Sequence, residues 1–245
     1  MIEQIQSYNI ERPKPVVVPP TRITVPYLDE TITSAHPFSG PDKYRSTGRN
    51  ILGNKQSLAD GEQTAYLLHA AYCGPEEFRE QKELIEFRDS IMRRNYLWIF
   101  NRNLWNSKGV YVVFDPKAIG LSENLSIKEL EKSLEGGREL SNGIRFSNDE
   151  STAFAPKESY KLGDHTPESF AQDGFVIATF KEKGAEKIGE VSKKFRYNPK
   201  TWGLEIKKDQ NPEQRVLAVD GNYGRLGLGD YFRGYGRGGF AFGVL

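Results

Sequence analysis

Proline placement is the strongest constraint on this chain. Seven of its 13 prolines (Pro13, Pro15, Pro19, Pro20, Pro26, Pro37 and Pro41) fall before residue 42. Proline fixes φ, lacks the N–H donor and blocks a helix interior. Extended or polyproline segments are expected there. Residues 1–56 therefore read as a Pro-rich extended arm, with Arg22–Tyr27 as an edge strand within it. Such an arm drapes over its own domain or reaches a neighbouring subunit. Residues 57–245 read as a single α+β domain ending in a Gly/Arg/aromatic segment.

Beyond the arm, local signals mark most elements. Asp60 and Gln63 form a capping-box pattern at the start of a helix that Gly74 ends. Pro75 suits the first position of a second helix, Glu76–Arg94, and the two predict an αα-hairpin. Tyr96–Phe100 and Gly109–Asp115 are runs of aromatic and β-branched residues, which predict two strands joined by the loop NRNLWNSK. Ser126 and Glu129 suggest another capping box. Ile144–Phe146 and Ala153–Ala155 read as strands. Thr166 and Pro167 open a short helix. Phe175–Phe180 reads as a strand and Lys183–Phe195 as a basic amphipathic helix. Trp202–Ile206 and Val216–Val219 complete the strands. This interleaving lacks strict βαβ regularity and gives α+β, with a largely antiparallel sheet and further short helices.

Several function classes are disfavoured. No apolar run approaches the ~18 residues needed to cross a bilayer, so no membrane partner is expected. The N-terminal residues carry no secretory h-region, and a cytoplasmic location follows. Cys73 is the only cysteine, which rules out a disulfide within the chain and a cysteine-rich zinc site. His36, His69 and His165 match no metal-ligand spacing. No cofactor and no metal site are expected.

Net charge is only +1, which argues against a strongly basic nucleic-acid binder. The charge is uneven, however: nine basic residues face four acidic ones between Lys181 and Lys208. The C-terminal segment reads GNYGRLGLGDYFRGYGRGGFAFGVL. Arg pairs with phosphate and stacks on bases, Tyr stacks on bases, and Gly admits close backbone approach. Arg225, Tyr231, Arg233, Tyr235 and Arg237, helped by Lys193, Lys194 and Arg196, are thus candidates to contact single-stranded nucleic acid or another polyanion. The same stretch also reads as tight turns and short strands, with Phe240, Phe242, Val244 and Leu245 as buried anchors.

Other constellations point elsewhere. Lys43–Asn50 mixes Arg, hydroxyl and Gly residues and reads as a phosphate-binding loop, with Arg45, Arg49 and His69 in the site. The P-loop and GxGxxG spacings are absent. Asn101, Arg102, Asn103, Trp105 and Asn106 read as recognition residues at a hairpin tip, or equally as a turn in which Leu104 and Trp105 fold back onto the core while the Asn residues satisfy the turn. His69 and Cys73 share one helix face, as a base beside a thiol would, although a Cys on an apolar helix ordinarily fills space. His165 at a helix start is open to titration or to a plain capping role. Three functions follow. The first is a non-catalytic binding protein for single-stranded nucleic acid or another polyanion. The second is an assembly protein that forms a homo-oligomer through its arm and C-terminal segment. The third is an enzyme acting on a phosphate-bearing substrate.

Overall fold

The computed structural model of the chain describes residues 22–231 and 238–245. Strands β1 (Arg22–Tyr27) and β2 (Glu30–Ala35) pair as an antiparallel hairpin. In β1, Ile23 and Val25 point inward while Arg22, Thr24 and Pro26 face out. β3 (Ser39–Asp42), α1 (Tyr44–Gly53) and β4 (Ser57–Leu58) follow. The phosphate-binding loop expected at Lys43–Asn50 is thus mostly helix. Tyr44, Thr47, Gly48 and Ile51 form its buried face. From Arg22 onward the proline-rich segment packs on the domain, and Ile23, Val25, Ile32 and Phe38 are part of the main core. Residues 1–21 lie outside the described residues.

Helix α2 (Gly61–Cys73) starts at the Asp60–Gln63 capping box, as expected. The second helix of the expected αα-hairpin is broken. It comprises α3 (Glu76–Arg79), α4 (Lys82–Glu86), a π turn at Phe87–Ile91 and α5 (Met92–Arg94). Arg88 Nη1 donates to the carbonyls of Ala71 and Arg79, so a side chain satisfies acceptors near the helix ends. β5 (Tyr96–Asn106) and β6 (Gly109–Phe114) then form a hairpin closed by Ser107 and Lys108. Most of the expected loop is therefore strand. Asn106 Oδ1 tightens the turn by accepting the N–H groups of Lys108 and Gly109.

Helix α6 (Ile127–Leu134) begins after Ser126, whose side chain makes no cap, so the capping box with Glu129 does not form. The short strands β7 (Arg138–Glu139), β8 (Arg145–Phe146), β9 (Thr152–Pro156) and β10 (Gly163–Asp164) precede α7 (Pro167–Ala171). Helix α8 (Gly174–Ser192) contains Phe175–Phe180, which the sequence reading made a strand. Periodicity cannot separate strand from helix in so short an apolar run. Asp173 decides, since its Oδ1 accepts the N–H groups of Phe175 and Val176 and starts a helix. The last strands are β11 (Tyr197–Trp202), β12 (Glu213–Asp220), β13 (Arg225–Tyr231), β14 (Gly239–Ala241) and β15 (Gly243–Val244). β11 ends at Trp202, where the sequence reading began a strand. Phe242 is buried as expected, whereas Leu245 is exposed.

The fold is α+β. One sheet runs β10-β11-β13-β12-β5-β6-β9-β8-β7, with β14 against β5 and β3, and a smaller one runs β1-β2-β15-β4. Pairing is antiparallel except for β11 with β13 and β14 with β5. Alternation along β5 separates two packed faces. Leu97 and Ile99 join the core that includes Leu68 of α2 and Ile188 of α8, while Trp98 and Phe100 pack with Tyr44 and Ile51 of α1. No helix among the described residues is long and apolar enough to cross a membrane.

Burial of α1 makes a direct prediction. Ile51 is fully buried, so Ile51→Ala should cost about 2–5 kcal/mol in urea unfolding. A loss under about 0.5 kcal/mol, the scale of a surface change, would restore the arm reading for this region.

Candidate functional site

β11 and β13 run parallel, with Tyr197 opposite Arg225, Lys200 opposite Gly227 and Trp202 opposite Gly229. This pairing places the chain after α8 beside the 3₁₀ turn at Asn222–Gly224, where Gly224 lies against Arg196 and Tyr197. Lys200 and Trp202, two apart on a strand, point to one face. The Trp202 ring lies on Gly227, where a Cβ would occupy its place. Tyr197, Trp202 and Tyr223 are 45%, 39% and 91% exposed.

Cations interleave with these rings. The Arg196 guanidinium stands 5.0 Å from the Tyr197 centroid, and the Lys200 ammonium 5.6 Å from that of Trp202. Both are within cation–π range. Arg225 reaches Asp164 at 2.7 Å, and Lys200 approaches the same carboxylate at 4.0 Å. Exposed pairs of this kind contribute little stability, so either cation can exchange Asp164 for a phosphate at small cost.

Of the residues proposed from sequence, Arg196 and Arg225 come together here. Lys193 sits past the end of α8 and pairs with Glu168 at 3.0 Å. Lys194 is close enough to His69 and Cys73 for its charge to act on both, but burial is the stronger influence on each, lowering the His69 pKa and raising that of Cys73. The side chain of Tyr231 and residues Arg233, Tyr235 and Arg237 lie outside the described residues. Sequence reasoning missed Tyr197, Lys200, Trp202 and Tyr223. The available signal was the Lys-x-Trp spacing in a strand.

The phosphate site does not assemble. Arg45 and Arg49 are exposed on α1, which packs against one face of β5, whereas His69 is on α2 against the other. His69 Nε2 lies 2.5 Å from Glu190 Oε2, and burial lowers its pKa despite that carboxylate. Burial also pushes the Cys73 thiol up, away from the thiolate. The expected hairpin tip is interior strand, because β12 and β6 pair with both edges of β5. Asn101, Asn103 and Trp105 are consequently buried. His165 is buried too, with Nε2 2.9 Å from the Lys161 carbonyl and 3.1 Å from Thr201 Oγ1, a structural role.

β13 also carries a partly buried acid, Asp230. Asn103 Nδ2 donates to Asp230 Oδ1 at 2.5 Å, while Oδ2 is buried without a hydrogen-bond partner among the described residues. Burial pushes this carboxyl up to about 8, against the opposing pull of Asn103, Trp105 and Arg215. Comparison with protein-family models, with curated proteins and with solved structures gave no match.

The Asp230 shift fixes a pH dependence. In the unfolded chain this carboxyl titrates near ~3.9, so between about pH 4 and 8 the folded state holds a proton that the unfolded state lacks. The associated stability is full below about pH 4 and is lost as the pH rises through about 8. The melting temperature should fall between about pH 5 and pH 8.5, and Asp230→Asn should flatten that slope and melt higher at the alkaline end. Identical pH slopes for the two proteins would mean that Asp230 ionises normally.

Proposed function

We propose that the protein binds single-stranded nucleic acid, without catalysis, along the β11–β13 end of its larger sheet. One observation carries the reading. Among the described residues, the strongly exposed large hydrophobic side chains are four aliphatic ones plus Tyr197, Trp202 and Tyr223. Every exposed aromatic of that set therefore sits in one place, and Arg196, Lys200 and Arg225 stand among them. Aromatic rings stack on any base and cations track the phosphates, so recognition of this kind tolerates sequence. The overall charge of +1 fits modest, salt-sensitive affinity rather than tight binding.

Trp202 provides its own reporter. Trp98 and Trp105 are fully buried, leaving Trp202 as the solvent-accessible indole. Titration with an oligonucleotide of about twelve residues at low salt should quench its fluorescence. Trp202→Ala should abolish the quench and weaken binding by ~1–3 kcal/mol. Arg225→Ala should lower the slope of log K against log salt by about 0.7, one phosphate contact. No affinity of the unmutated protein for single-stranded RNA or DNA at low salt would sink the proposal. Oligomers that Trp202→Ala dissociates would make the same surface a subunit interface instead.

A further inference from the structure

Tyr223 is held against the ordinary preferences of both its backbone and its ring. At φ 56 and ψ 24 it sits in the left-handed region, where bulky residues are rare. It is the one aromatic among the six non-glycine residues at positive φ in the described chain. It is also 91% exposed, the most of any large hydrophobic side chain described.

This conformation is imposed from both sides. Before it, the Gly221 N–H donates to the Met92 carbonyl at 2.8 Å, and a Cβ at Gly221 would strike that carbonyl oxygen. After it, Gly224, itself at φ 74, lies against Arg196 and Tyr197. A strained residue persists only where its surroundings over-determine it, and such residues gather at ligand contacts. Leu226 and Leu228 carry the burial of β13, so the core makes no use of the Tyr223 ring.

The three exposed rings differ in what they have left to offer. Tyr197 carries the Arg196 guanidinium over its ring, and Trp202 rests on Gly227. Each has given part of its surface to the protein. Tyr223 has no ring or cation contact among the described residues, so both of its faces are open to solvent. A ring open on both faces can stand between two bases and stack on each.

We infer that Tyr223 is a wedge that enters between successive bases, so that the surface selects weakly stacked, pyrimidine-rich single strands over adenine-rich ones. This extends the nucleic-acid reading above and rests on it. Insertion exchanges one base–base contact for two base–ring contacts, at the cost of unstacking that step. Every base has a π-face, so the gain varies little with sequence, whereas the cost is greatest where neighbouring bases stack best. Adjacent purines overlap more than adjacent pyrimidines, so a pyrimidine step opens most readily. Arg196 and Arg225 stand beside the turn at Gly224 and supply cations for the phosphates of the opened step.

Fluorescence anisotropy of end-labelled thymidylate and adenylate dodecamers, titrated with the full chain at low salt, tests it. The thymidylate strand should bind tighter by about fivefold or more, the lower end of one base–aromatic contact. Tyr223→Phe should keep both the affinity and the preference. Asparagine suits the left-handed backbone. Tyr223→Asn should therefore melt no lower than the unmutated protein. It should weaken thymidylate binding about fivefold or more and bring the two strands within about twofold of each other. Equal affinity of the unmutated protein for the two strands would overturn the wedge while leaving nucleic-acid binding standing. Binding of neither strand would remove the nucleic-acid reading and the wedge with it. A preference that survives in Tyr223→Asn would also overturn the wedge, and a lower melting temperature for that variant would make the ring structural instead.

Discussion

Strand β5 is the constraint on which the rest of the structure depends. Its 11 residues hydrogen-bond to β12 along one edge and β6 along the other, with β14 joining at its start. Its two faces feed different cores, since Leu97 and Ile99 turn one way and Trp98 and Phe100 the other. Trp98 ties the N- and C-terminal parts to this strand. Its Nε1 donates to the Asp42 carbonyl at 3.0 Å, and its indole lies against Gly239, where any side chain would collide. The near-continuous burial of β5 follows from having both faces covered, as in the centre of a sheet.

The proposed binding surface inherits its geometry from this strand at one remove. β12 docks on β5, β13 folds back on β12, and β11 joins β13 in parallel. That last pairing places Tyr197 opposite Arg225, and the turn before β13 brings Tyr223 alongside. Leu226 and Leu228 of β13 are buried in the main core, whereas Gly227 lies beneath Trp202. A strand with large side chains on its buried face and glycines on the other leaves a flat floor on which one indole rests.

What was legible in the sequence was local. The Asp60–Gln63 box and the Thr166–Pro167 start each reside within a few residues, and both helices begin there. Val216–Val219 read correctly because this short apolar run, with β-branched valines at both ends, lies within β12. Phe175–Phe180 misled because six apolar and small residues suit either state until Asp173 caps them. The Arg22–Tyr27 strand was legible in the alternation of Ile23 and Val25 with polar residues. Arg196 and Arg225 were visible as cations near aromatics. Lys200 and Trp202 left only the Lys-x-Trp spacing as a mark, and their meeting with Tyr223 and Arg225 left none, because a parallel register between distant segments is written in neither one.

The proposal unites the cations and exposed rings of β11–β13 in one working surface. Amide chemical-shift mapping of the ¹⁵N-labelled protein with a short single-stranded oligonucleotide tests it most directly. Shifts should concentrate at Arg196–Trp202 and Tyr223–Gly229 and diminish as salt is added. Shifts centred on Arg45 and Arg49 of α1, or no shifts at all, would contradict it.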